Sequence, residues 1–205
     1  MIGFGYDAGT SNAAYSIIDF KPKSFDFIEV GMIDSTFKNL TENVVYKRIT
    51  KADRAKAKKQ GMRISKKDMP FYPPLNEEFP KFYKAIDDIT NEYKINFFIG
   101  ERFQTRGNGG PLIEMVSMQL GTIYTINFNK GISSRLVVAS QWKNKVNSIS
   151  NLEDMYSYAH QFNITPHECD STGMALYQAD FLGVLPLEIS LAQWRRKLST
   201  YVKRD

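Results

Sequence analysis

Three strand-like runs stand almost back to back at the start of this chain: about 2–7 (IGFGYD), 13–20 (AAYSIIDF) and 26–33 (DFIEVGMI). Gly/Ser/Asn and Lys-Pro-Lys turn signals separate them, and strands joined by such short turns pair antiparallel. The reading is a three-stranded meander with Asp7 at the C-terminal tip of its first strand. The remaining chain must then cover the faces of a sheet that already exists.

Beyond Ile33 helices and strands alternate. A helix is predicted from about Asn76 to Lys94, where Phe79, Phe82, Tyr83, Ile86, Ile89 and Tyr93 recur at three and four residues. The short apolar run Asn96 to Gly100 (NFFIG) reads as a strand ending in Glu101. The glycine-rich stretch RGNGGP leads into a helix over about 111–124, with proline near its first turn. A strand over 135–139 (RLVVA) ends in SQWKNK, and helices are expected over about 152–162 and from about His167. The last segment, 187–201, is amphipathic and basic. This order predicts an α/β fold with a mixed five-stranded sheet flanked by helices, the order of the ribonuclease H-like fold. Actin-like ATPases and nucleases both use that fold, so it does not by itself name a function.

At 205 residues the chain fits a single domain, 1–205, able to bury a core without disulfides. It carries a basic insertion at about 38–74, hinged by the proline-rich MPFYPP, and the basic C-terminal helix. One cysteine, Cys169, excludes an intrachain disulfide framework or a cysteine zinc site and suits a reducing compartment. No apolar run reaches the roughly 18 residues of a membrane span, and no basic region precedes the first strand as in a signal peptide. The expectation is a cytoplasmic protein without membrane association. The net charge of +5 is unevenly spread: residues 47–67 hold ten Lys or Arg and one acid, a net of +9, leaving −4 elsewhere. A basic arm on a mildly acidic body suits a nucleic-acid binder, and Lys56, Lys58, Lys59 and Arg63 are its candidate contacts. A solvated surface is the bland alternative.

The chemistry-bearing residues fall at strand and helix ends. Asp7 follows GFGY and Glu101 follows FFIG, so rigid strands would aim both carboxylates. A third group, His167-Glu168-Cys169-Asp170, lies at a helix start. His167 and Asp170, three apart, share a helical face, whereas Glu168 points elsewhere. Carboxylates with one imidazole suit Mg²⁺ or Mn²⁺. Two such ions about 3.5–4 Å apart would bind a scissile phosphate. Ser11, Ser171 and Cys169 have no evident base beside them, so metal-activated water is the economical mechanism. Taken singly, Asp7 reads equally as a turn residue, Glu101 as a solvated strand end, and the His167 cluster as a helix cap.

Together these residues resemble the RuvC-like Holliday junction resolvases, phage-type members most closely. The resemblance rests on an Asp-x-Gly strand end, a strand ending in Glu, a Trp-Lys segment after a later strand and a His-x-x-Asp helix start, over roughly 1–33 and 94–182. It implies that Asp7, Glu101, His167 and Asp170 bind two Mg²⁺ ions, with Mn²⁺ as substitute, and that Lys143 or Lys145 assists at the phosphate. Phe103 would stand near the junction centre; Arg106 is a further candidate DNA contact, and Glu168, without a counterpart in the pattern, is a candidate to stand behind the ligands. It further implies a homodimer that nicks four-way or branched DNA junctions. Other ribonuclease H-like nucleases, cutting flaps or RNA–DNA hybrids, and a catalytically dead binding subunit are alternatives. An actin-like ATPase would share DAGTSN as a phosphate loop, but needs a second lobe and a second Asp-x-Gly loop.

Overall fold

The computed structural model describes residues 1–9, 13–33, 55, 58–61, 78–102 and 111–203. The expectations for Thr10, Ser11, Asn12, Lys56, Arg63, Phe103, Arg106, the proline-rich 69–74 and the glycine-rich 106–110 lie outside the described residues.

Strands β1 (Ile2–Asp7), β2 (Ala14–Lys21), β3 (Ser24–Met32), β4 (Ile95–Glu101) and β5 (Ser133–Val137) form one sheet in the order β3-β2-β1-β4-β5. β1–β2 and β2–β3 pair antiparallel, as short turns require, while β1–β4 and β4–β5 pair parallel across helical crossovers. The helices are α1 (Glu78–Glu92), α2 (Pro111–Asn129), α3 (Ala139–Asn147), α4 (Leu152–His160), α5 (Pro166–Phe181) and α6 (Leu187–Val202). The expected α/β, mixed five-stranded architecture is what forms.

Each face of the sheet has its own core. On one face Phe4, Tyr6, Ile17 and Phe98 pack against Phe82 and Ile86 of α1 and Val116, Leu120, Ile123 and Ile126 of α2. On the other, Ile18, Phe27, Phe97, Ile99 and Val137 meet Trp142 of α3, Met155 of α4, Met174 to Leu176 of α5 and Trp194 of α6. The period of two along β1 and β4 divides the layers: Phe4, Tyr6 and Phe98 point one way, Phe97 and Ile99 the other.

Two expectations are corrected. SQWKNK does not trail off a strand. β5 ends at Val137, and Ala139 begins α3, whose Trp142 and Val146, four apart, both turn inward. The Gln141 side chain accepts from the Val138 N–H at 3.1 Å and holds the helix entry. Second, α2 runs through Gly121 and Tyr124 to Asn129, because Ile123 and Ile126 are buried beneath it. It stops at Gly131, which adopts φ +69°, while the Ile132 N–H donates to the Asn127 carbonyl at 2.8 Å. That is a Schellman ending, which glycine adopts without steric cost. Among the described residues, no helix is long and apolar enough to cross a membrane.

Candidate active site

Asp7 and Glu101 end neighbouring parallel strands. Tyr6 lies opposite Gly100 in the β1–β4 register, so the two acids stand side by side one residue further on. By the same alternation both face the layer of α3 and α5: Glu101 follows Phe97 and Ile99, and Asp7 follows Gly3 and Gly5. The loop leaving Asp7 is fastened from the opposite face. Gln119 of α2, fully buried, accepts from the Tyr6 hydroxyl at 3.0 Å and donates to the Gly9 carbonyl at 3.2 Å.

Gly5 of β1 lets α5 come down onto the strand. A Cβ at Gly5 would lie 2.1 Å from the Ser171 carbonyl oxygen, closer than any real contact. α5 begins with Pro166 behind Thr165, which caps it in a reciprocal pair with Glu168: the Glu168 N–H donates to Thr165 Oγ1 at 3.2 Å and the Thr165 N–H to Glu168 Oε2 at 2.7 Å. Glu168 is thereby fixed as the cap and turned from the site. His167 and Asp170 share the other face. His167 Nδ1 lies 2.7 Å from Asp7 Oδ2, while Asp170 accepts from Lys143 Nζ at 2.6 Å and, through its second oxygen, from the Tyr156 hydroxyl.

Asp7, Glu101, Lys143, His167 and Asp170 thus gather at one corner, where Lys143 feels all three acids. Burial pushes the Glu101 carboxyl above its ordinary range and the Asp7 and Asp170 charges push further, against the indole N–H that Trp142 donates at 3.1 Å. Burial likewise raises Asp170, with Lys143 and Tyr156 opposing in part. The hydrogen bond to Asp7 raises His167, favouring the imidazolium. For Lys143 burial disfavours the charge, but the facing carboxylates outweigh it and the ammonium is held more firmly than usual. Among the described residues, no group of three or more His, Cys, Asp and Glu side chains is arranged to hold a metal ion. Each acid of the corner instead has a protein donor.

Of the two lysines, Lys143 is in the site. Lys145 is exposed, about 200° further round the helix. Lys58 and Lys59 are exposed, and among the described residues no contact ties them to the corner. Cys169, one position from Asp170, is buried in the core and its thiol is pushed up by that burial, and Ser171 Oγ donates to the Glu168 carbonyl at 2.7 Å. Neither is an activated nucleophile. Sequence reasoning missed Trp142 and Tyr156 as site residues. Trp142 had a signal, its place before Lys143, whereas Tyr156 had none, being an aromatic on an otherwise ordinary helix.

No family model and no curated protein matches the chain. Solved structures do. RuvC of Thermus thermophilus in complex with a Holliday junction substrate superimposes over 89% of this chain and 96% of its own at 12% identity, with a TM-score of 0.58. The Thermus thermophilus RuvC structure covers 90% and 98% at 11% identity, with a TM-score of 0.57. The yeast mitochondrial Holliday junction resolvase Ydc2 matches at 12% identity and a TM-score of 0.47, over 98% of this chain and 83% of its own. The chain folds as an α/β ribonuclease H-like domain in the arrangement of RuvC.

Proposed function

We propose that this protein is a structure-selective endonuclease that nicks four-way or branched DNA junctions by metal-dependent phosphodiester hydrolysis. The observation that carries the reading is the corner itself. Asp7 and Glu101 leave adjacent parallel strands, His167 and Asp170 come from the helix laid across them, and Lys143 reaches in from α3. That this set stands on a fold matching RuvC bound to a Holliday junction substrate supports the choice of DNA.

The residues fit hard divalent ions by donor chemistry. Three acids share one desolvated corner, burial holds two of them above their ordinary range, and one lysine and one imidazole answer them. Asp7, Glu101, His167 and Asp170 would hold two Mg²⁺ ions, or Mn²⁺, turning from their present protein donors to do so. Bound there, the ions would supply Lewis-acid stabilisation of the phosphate and lower the pKa of the attacking water. The protein's own groups do the rest. Lys143, released from Asp170, meets the phosphate charge, Trp142 keeps Glu101 aimed from β4, and the Thr165–Glu168 cap fixes the helix start that presents His167.

The basic arm at 47–67 is read as a DNA contact, with Lys58 and Lys59 exposed there. A second copy of the chain is the partner read for α2, whose outward stripe of Met118, Gly121, Tyr124 and Phe128 leaves Phe128 84% exposed. The deciding experiment is incubation of the purified protein with a synthetic four-way junction and Mg²⁺ or Mn²⁺, beside Asp7→Asn. Paired nicks by the wild type only, with linear duplex cut far less, are expected. Intact junctions with ATP hydrolysed instead would overturn the reading.

A further inference from the structure

A cleft of about 580 Å³ opens between α3 and α4, lined by Lys143, Asn147, Asn151, Leu152, Glu153 and Tyr156. Lys143 and Tyr156 are also the two groups that hold Asp170, so the cleft shares a wall with the candidate active site. Its size lies within the range of small-ligand pockets.

The polar lining is held in place. Asn147 Oδ1 accepts from the Leu152 N–H at 3.0 Å, and Asn151 Oδ1 accepts from the Glu153 N–H at 2.9 Å. Each asparagine therefore spends its carbonyl on the backbone and keeps its NH₂ as a donor. Among the described residues, no hydrogen bond engages either NH₂ or the Glu153 carboxylate. Buried Leu152 lies beneath. The cleft thus offers a cation, two amide donors and one anionic acceptor.

That mixture narrows the ligand. A bare phosphate would be drawn by the amides and by Lys143, once it leaves Asp170, but repelled by Glu153. A nucleotide satisfies all of them, with its phosphate toward Lys143 and its base toward the exposed Glu153. A carboxylate beside an amide donor matches a base edge that carries an exocyclic amine next to a ring acceptor. Cytosine and adenine present that edge. Thymine places a carbonyl where the amine would be.

We propose that this cleft is a subsite for the nucleotide beside the scissile phosphate, and that Glu153 selects a base bearing an exocyclic amine. That the nucleotide belongs to junction DNA rests on the function proposed above. The full-length protein is titrated with dCMP and with dTMP at millimolar concentrations, following the Asn147 and Asn151 side-chain amides by NMR. dCMP should shift both amides and bind about tenfold more tightly than dTMP, and Glu153→Gln, an exposed change, should erase the difference. Unmoved amides with either nucleotide, or a preference that survives in Glu153→Gln, overturns the subsite. In parallel, junctions carrying C or T beside the nick are cut by both proteins. Nucleotide binding as expected without any cutting keeps the subsite and removes the nuclease reading. Cutting without base preference, with unmoved amides, does the reverse.

Discussion

The two faces of β1 solve opposite problems. On one, Phe4 and Tyr6 interlock with Phe98 and with helices α1 and α2, in edge-to-face ring pairs such as Phe4–Phe98 at 5.2 Å. On the other, Gly3 leaves room for the Phe97 and Phe20 rings, and Gly5 removes its side chain so that the backbone of α5 can settle against the strand. The first face stabilises by filling space. The second leaves space empty so that a helix start carrying His167 and Asp170 reaches a strand end carrying Asp7. Stability and chemistry are divided across one strand, and substitutions on the two faces should have separable consequences.

The sharpest test of that division is at Asp7. Asp7→Asn should reduce junction nicking by at least about a hundredfold and leave the fold intact. His167, deprived of the carboxylate that raises it, should titrate closer to its ordinary value of 6.5, read by NMR of the ring protons. An unaltered His167 titration would mean that the Asp7 contact does not govern the site.

Lys143 and Lys145 sharpen the comparison within one helix. Lys143→Ala should lower the nicking rate by about ten- to a hundredfold, whereas Lys145→Ala should stay within about twofold, because it points away. Equal losses would show that charge near the DNA matters more than contact with Asp170.

The two faces can be set against each other directly. Gly5→Ala forces a methyl against the Ser171 carbonyl, and neither partner is a flexible side chain. It should cost about 1–3 kcal/mol and lower nicking beyond what the stability loss explains, since α5 must lift with His167 and Asp170. Ile123→Val on the α2 face should cost about 0.5–1.5 kcal/mol with nicking unchanged. Thermal melts beside single-turnover cleavage separate them, and a matched loss of activity in both would collapse the distinction.

The smallest change in stability has the opposite sign. Glu101, Asp170 and His167 are all raised in the folded state. Each therefore stabilises fully below its unfolded pKa and loses that contribution as pH rises through the folded one, from above 3.8 for Asp170 through above 4.5 for Glu101 to above 6.5 for His167. Glu101→Gln, neutral throughout and still able to accept from Trp142, should raise the melting temperature at pH 8 by about 1–3 °C while abolishing nicking. A lower melting temperature would mean that the Glu101 charge is structural.

Much of this was legible from the chain alone. The meander and the acid at each strand tip are local patterns, whereas the Thr165-x-x-Glu168 capping box went unread although its residue types and spacing mark it. α3 was hidden because RLVVA reads as one apolar run, although only the part through Val137 pairs with β4. Tyr156 was hidden because an aromatic residue in a sequence looks the same whether its polar tip meets the core edge or a carboxylate.

Alternation, capping and turn chemistry act between near neighbours. The order of amino acids alone therefore dictated which faces are apolar, roughly where elements begin and end, and that carboxylates stand at the ends of β1 and β4. What each acid meets was settled only by the packing of the layers. Asp7 and His167 are 160 residues apart, and Glu101 and Trp142 are 41 apart. Such pairs form because packing brings them within hydrogen-bond reach and strips away their water, and both distance and desolvation are properties of the assembled layers.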